Sequence, residues 1–222
     1  MSNQENESKI ALALAHRAYR YTLLHLVFGA EPNANLMSKA FSPESREAFA
    51  ETEPLASYLN EHADESDSPA FLATAEKGYR ALFYAMGEAN VVAWESPYLD
   101  DNGMLFQEST LDVREFYHQA GLKLQAEKQF PDDHIGAMMD FLAHLSAETY
   151  ERFADGEDAK VSALIATQRS FIEKHLLHWL NKFSDQVAEK DDQGFYAAFA
   201  QGMQRTVNDD YAMLAKALEE LS

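Results

Sequence analysis

Apolar positions recur along this chain at intervals of three and four, the spacing of buried helix faces. From about Ser8 to Phe28 they cover two adjoining stripes. Ile10, Leu14, Tyr21, Leu24 and Phe28 form one, and Leu12, Tyr19, Leu23 and Leu26 the other. A helix apolar around that much of its girth is expected to be buried on several sides. Gly29 and Pro32 end it. Ser42-Pro43 predicts a helix to about His62, and Ser68-Pro69 another to about Met86, each with a serine cap and proline in the first turn. Ser109 is expected to cap a short helix ending at Gly121. The next is expected to open at Pro131 and run to about Phe153, with Ile135, Met138, Met139, Leu142 and Leu145 on one face. One long helix then aligns Val161, Ile165, Ile172, Leu176, Trp179, Phe183 and Val187. A last helix aligns Tyr196, Phe199, Met203, Val207, Leu214 and Leu221. No alternating strand of useful length interrupts the series, so the expected fold class is all-α.

Residues 88–109, EANVVAWESPYLDDNGMLFQES, break the pattern with a proline, an Asp-Asp-Asn-Gly turn signal and several large apolar side chains. A connection that long usually has a function. Trp94, Tyr98, Leu105 and Phe106 argue for a packed loop. The expectation is one globular helical domain. In it a lobe of about residues 1–87 is joined through 88–109 to a lobe of 110–222.

Charge changes the picture of what such a bundle binds. Lys and Arg number 18 against 37 Asp and Glu, a net charge of −19. A surface so acidic repels phosphate backbones and anionic lipid, so neither nucleic acid nor membrane insertion is expected, and a basic segment is the favoured partner. Cysteine is absent, which removes disulfides, thiolate nucleophiles and thiolate metal sites. The start, MSNQENESKIALALAHRAYR, lacks the basic opening and longer apolar run of a signal peptide. The expected location is the cytoplasm.

Candidate chemistry is sparse. No phosphate loop, nucleophile elbow or zinc helix is present. His175 and His178 stand three apart on a helical stretch, but a metal site needs further ligands. His175 lies on the apolar stripe, where a hydrogen-bonded core histidine is expected. The polar cluster is Pro131-Asp132-Asp133-His134. Two carboxylates in a first helical turn would complement the helix dipole, whereas a charged His134 would oppose it, so His134 is expected neutral or held by a carboxylate. Trp94 and Tyr98 either plug the junction between lobes or line a groove for an apolar peptide, with Asp100, Asp101 and Glu108 meeting its basic end.

Three stretches resemble the TorD/DmsD family of redox-enzyme maturation proteins. WESPYLDDNGMLFQESTLDVREFY is similar to the family's Trp/Tyr-x-Ser-x-x-Leu-Asp segment with its Leu-Phe and Leu-x-x-Arg continuation. FPDDHIGAMMDFLAHL resembles its x-Asp-His signature, and FIEKHLLHWLNKF its His-Leu-x-Pro-Trp segment, with the details leaning toward DmsD-like members. Here His178 replaces the usual proline before Trp179, and Phe130 stands where many members have an acidic residue. The resemblance implies a dedicated all-helical fold and no enzyme activity. It implies a chaperone that holds the twin-arginine signal peptide of a DMSO-reductase-type molybdoenzyme precursor from export until its cofactor is loaded. Carried over by motif, the peptide-binding residues are Trp94, Ser96, Tyr98, Leu99, Leu105, Phe106, Asp133 and His134. The chain itself is expected to hold no cofactor or metal, and export or cofactor-insertion machinery is a further partner. The family has also been linked to weak nucleotide binding. The competing classes are a small hydrolase using Asp133-His134 and a helical metal-binding protein.

Overall fold

The computed structural model describes residues 3–84, 87–100, 102–125 and 130–220, with side chains from Ser8 to Glu219 within those ranges. Met86, Asp101 and Leu221, named above, lie outside them. The described residues form eleven α-helices and no strand. The first half contains α1 (Asn3–Gly29), α2 (Ala34–Ala40), α3 (Pro43–Ala48), α4 (Leu55–Glu61) and α5 (Pro69–Tyr79), the last running into a π-helical turn, Arg80–Tyr84. Then come α6 (Ser96–Leu99), α7 (Glu108–Gln119), α8 (Ile135–Ala154), α9 (Asp158–His175), α10 (Leu180–Lys190) and α11 (Phe195–Glu220). The all-α expectation holds.

Two of the three capped starts are where the sequence puts them. Ser42 accepts the Ser45 N–H at 3.2 Å and Ser68 accepts the Phe71 N–H at 3.1 Å. A cap missed in the sequence is Asn33, which accepts the Leu36 N–H at 3.0 Å and opens α2. The helix expected from 43 to 62 is two, because Pro54 has no N–H to donate and a helix interior excludes its ring. Phe49, just past the end of α3, and Leu55, which opens α4, are both fully buried.

Three further boundaries correct the sequence reading. Helix α7 opens at Glu108 behind an extended Gln107 with no side-chain cap, and the buried Ser109 hydroxyl has no hydrogen-bond partner. Helix α8 opens at Ile135, not Pro131. Backbone bonds from Ile135 N–H to the Ala93 carbonyl (2.8 Å) and from Glu95 N–H to the Asp133 carbonyl (3.1 Å) hold 133–135 beside 93–95. His134 is therefore extended, and its Nδ1 accepts the Gly136 N–H as the helix cap. The expected helix from 161 to 187 breaks at 176–179. There the Trp179 indole N–H takes the His175 carbonyl at 2.6 Å, which a continuing helix would give to the Trp179 backbone N–H. That N–H turns to Leu176 instead. The break exists with His178 in place of the family's proline.

Helices α1 and α8 pack closely, and α9, α10 and α11 complete the bundle around them. The first turn of α8 meets the end of α1 at Gly136, where a Cβ would lie 2.6 Å from the Gly29 Cα. Trp179, Phe183, Phe28, Tyr196 and Phe199 fill the centre. An ionic network is also buried between the helices. Arg17 of α1 donates to both oxygens of Asp210 of α11, at 2.6 and 2.9 Å, and to Gln168 of α9 at 2.7 Å. Tyr21 donates to Asp210 at 2.8 Å, and Ser146 of α8 to Gln168 at 3.0 Å. A charged pair out of water is tolerable when further hydrogen bonds offset its desolvation. Here Nε and Nη2 of Arg17 and both oxygens of Asp210 are bonded while Nη1 has no partner, and the bonds link four helices.

Candidate functional site

The Pro131–His134 stretch is a clasp between α8 and the 93–119 segment. Asp132 is buried and receives the Arg114 Nε–H at 2.9 Å, while its carbonyl accepts the Tyr117 hydroxyl at 3.0 Å. Asp133 is fully buried, and its two oxygens accept the Ser96 N–H at 2.7 Å and the Thr110 hydroxyl at 3.1 Å. It thus ties the start of α6 to the start of α7. The indole of Trp94 stands edge-on to His134 with ring centroids 4.9 Å apart. Burial lowers the His134 pKa to about 4, so this cap is neutral at physiological pH, as the helix start requires.

This arrangement dismantles the dyad that a hydrolase reading needs. Both Asp133 oxygens are taken by Ser96 and Thr110, and His134 Nδ1 is taken by Gly136. The pair is not set up as a base with its orienting carboxylate. Among the described residues no group of three or more His, Cys, Asp or Glu is placed to hold a metal ion. No described helix is long and apolar enough to cross a membrane.

In front of the clasp lies an open groove of about 900 Å³, between α6, α7 and the end of α9. Leu99 and Leu111 give it exposed apolar surface. Five carboxylates line it, Glu95, Asp100, Glu108, Asp112 and Glu115, against one lysine, Lys174. Asp100 also accepts the backbone N–H groups of Asn102 and Met104, so it shapes the turn that carries Met104, Leu105 and Phe106, all exposed. That turn joins two lining residues, Asp100 and Gln107.

Of the residues singled out in the sequence, Leu99, Asp100 and Glu108 line this groove and Leu105 and Phe106 stand exposed on the adjoining turn. Trp94, Ser96, Asp133 and His134 do not line it; they hold its walls from behind. The Tyr98 ring lies tilted 5.0 Å from Trp179, and its hydroxyl is within donating distance of the Val92 carbonyl (2.9 Å) and Gln186 Oε1 (3.1 Å), linking α6 to α10.

Sequence reasoning missed the groove floor. Glu95 is fully buried and bonded at 3.1 Å to His175 Nδ1, and the opposite nitrogen, Nε2, lies 3.2 Å from Asp112 Oδ2. Burial lifts the Glu95 pKa to about 7, opposed by the bond to His175 and reinforced by the nearby Asp133 and Asp112. The one signal was a glutamate inside the apolar run around Trp94. The expectation of a hydrogen-bonded core histidine is met at His175 Nδ1, while Nε2 has no hydrogen-bond partner and the residue also lines the groove.

A family profile described as nitrate reductase delta subunit matches residues 42–185. A Vibrio cholerae protein named chaperone protein TorD is 29% identical over 172 residues, 77% of this chain and 74% of its own length. One of the same name from Aliivibrio fischeri is 32% identical over 116 residues, 52% of this chain. The matched stretch spans only 53% of that relative. A Photobacterium profundum protein, also named chaperone protein TorD, is 26% identical over 117 residues. These relatives carry the TorD name, and the leaning toward DmsD-like members stays an expectation. The match includes the 94–114 loop and helix, the clasp and the HLLHW turn, and the chain belongs to the nitrate reductase delta subunit family, the TorD/DmsD type of redox-enzyme maturation proteins.

Proposed function

We propose that this protein is a cytoplasmic chaperone for a molybdoenzyme precursor of the DMSO-reductase type, and that the groove between α6, α7 and α9 takes its twin-arginine signal peptide. The observation that carries the reading is the groove's composition, five carboxylates around Leu99 and Leu111. A twin-arginine leader has a basic patch followed by an apolar stretch, and this surface offers both complements side by side. The net charge of −19 adds long-range attraction for a basic segment. The exposed Leu105 and Phe106 extend the apolar side. Asp133 and His134 serve the peptide through the groove wall.

Calorimetric titration with the leader of a molybdoenzyme from the same genome tests this. Micromolar or tighter affinity is expected, about −8 kcal/mol, with a negative heat-capacity change from apolar burial. Affinity should weaken several-fold as salt rises, because exposed charges are screened over about 10 Å at 0.1 M, and an apolar remainder should survive. Absence of binding by every such leader contradicts the proposal.

A further inference from the structure

We propose that Asp112 is the carboxylate that receives an arginine side chain entering the groove, and that the Glu95–His175 pair beneath it gives up a proton when it does. The inference rests on the reading of the groove as a peptide site and goes on to assign its recognition point.

His175 stands between two carboxylates: Glu95 is hydrogen-bonded to Nδ1 at 3.1 Å, and Asp112 Oδ2 lies at ion-pair distance from Nε2, 3.2 Å, while the buried Nε2 itself has no hydrogen-bond partner. A neutral imidazole has one N–H, and when that N–H serves Glu95 the lone pair of Nε2 faces the Asp112 carboxylate. The arrangement therefore calls for one proton beyond a neutral ring and two carboxylates, carried on the ring or on Glu95. Water has little access to share that proton. Glu95 is fully buried, His175 is 3% exposed, and the rings of Phe116 and Phe171 lie against the imidazole, each 5.3 Å away. Asp112 is different: it is half exposed, on the α7 face that lines the groove.

A guanidinium stays charged at every relevant pH and matches a carboxylate in two-point geometry. Placed on Asp112, it brings a positive charge beside the proton held by His175 and Glu95. Repulsion then favours loss of that proton to solvent, with Asp112 transferred from imidazole to guanidinium. The other charged groups of the neighbourhood are Asp133 behind Glu95, Lys174 over the Phe116 ring, Glu108 and Glu115 along α7, and His178 in the α9–α10 turn. Of the two imidazoles there, His175 is the one with a carboxylate oxygen within 3.2 Å of each ring nitrogen.

The test is calorimetry at pH 6, 7 and 8, in buffers of unlike protonation enthalpy, with a synthetic peptide carrying an arginine pair before an apolar stretch and its lysine-pair counterpart. Affinity for the arginine peptide should rise with pH, by up to about tenfold per unit for one proton released. His175→Gln and Glu95→Gln should bind with that slope removed. Asp112→Asn, a change at a half-exposed position, should lose the preference for arginine over lysine. Binding by the wild-type protein without proton release overturns the inference, as does a slope that survives His175→Gln or disappears with His178→Gln. Failure of both peptides to bind at any pH overturns the groove reading itself.

Discussion

Asp133→Ala should lower the stability of this protein by about 3 kcal/mol and its melting temperature by roughly 9 °C. The variant deletes the acceptor of the Ser96 N–H and the Thr110 hydroxyl, both buried, and nothing else within the clasp reaches them. Hydrogen bonds to a charged partner contribute about 1.5–3 kcal/mol each, and an orphaned buried donor adds its desolvation cost. Asp133→Asn keeps one acceptor oxygen and should lose less. Peptide affinity should fall with Asp133→Ala even though the side chain does not line the groove, because the starts of α6 and α7 are no longer tied. Urea melts and calorimetry on the same preparations check both effects. An unchanged melting curve with abolished binding would place the carboxylate on the peptide instead.

The double reversal Glu108→Lys with Glu115→Lys should weaken binding of a twin-arginine leader by about 2 kcal/mol, roughly thirtyfold. Both positions are exposed, so stability should change by under about 1 kcal/mol, most of it from placing a cation in the first turn of α7. The groove would then hold Lys174 and two new cations against Asp100, Asp112 and the buried Glu95. The loss should shrink at high salt, because it is made of screened charge–charge terms. Surface plasmon resonance at two ionic strengths reads this directly, and an affinity unmoved by the reversal removes these carboxylates from recognition.

Much of the bundle was legible because it rests on short-range rules. Ser42-Pro43 and Ser68-Pro69 open helices, and the apolar stripes from Val161 to Val187 are buried as their spacing requires. The misread boundaries are those set by tertiary partners. Trp179 ends α9 with its own indole N–H, and the start of α8 is delayed because 133–135 lie beside 93–95. Neither signal is local. The same holds for the site. Leu99, Asp100 and Glu108 were visible as an apolar and acidic loop, while Glu95, Asp112 and His175 come from three separate elements and meet only in the fold. Asp132 and Asp133 looked like a helix-start device; the structure makes them ligands of Arg114, Ser96 and Thr110.

The central claim is that the α6–α7–α9 groove is where the signal peptide sits, and hydrogen–deuterium exchange with and without a bound leader addresses it most directly. Amides of the 102–107 turn, the first turn of α7 and the 176–178 break border the groove and should slow on binding. Protection confined to the α1–α11 side of the molecule, with these amides unchanged, would contradict the account.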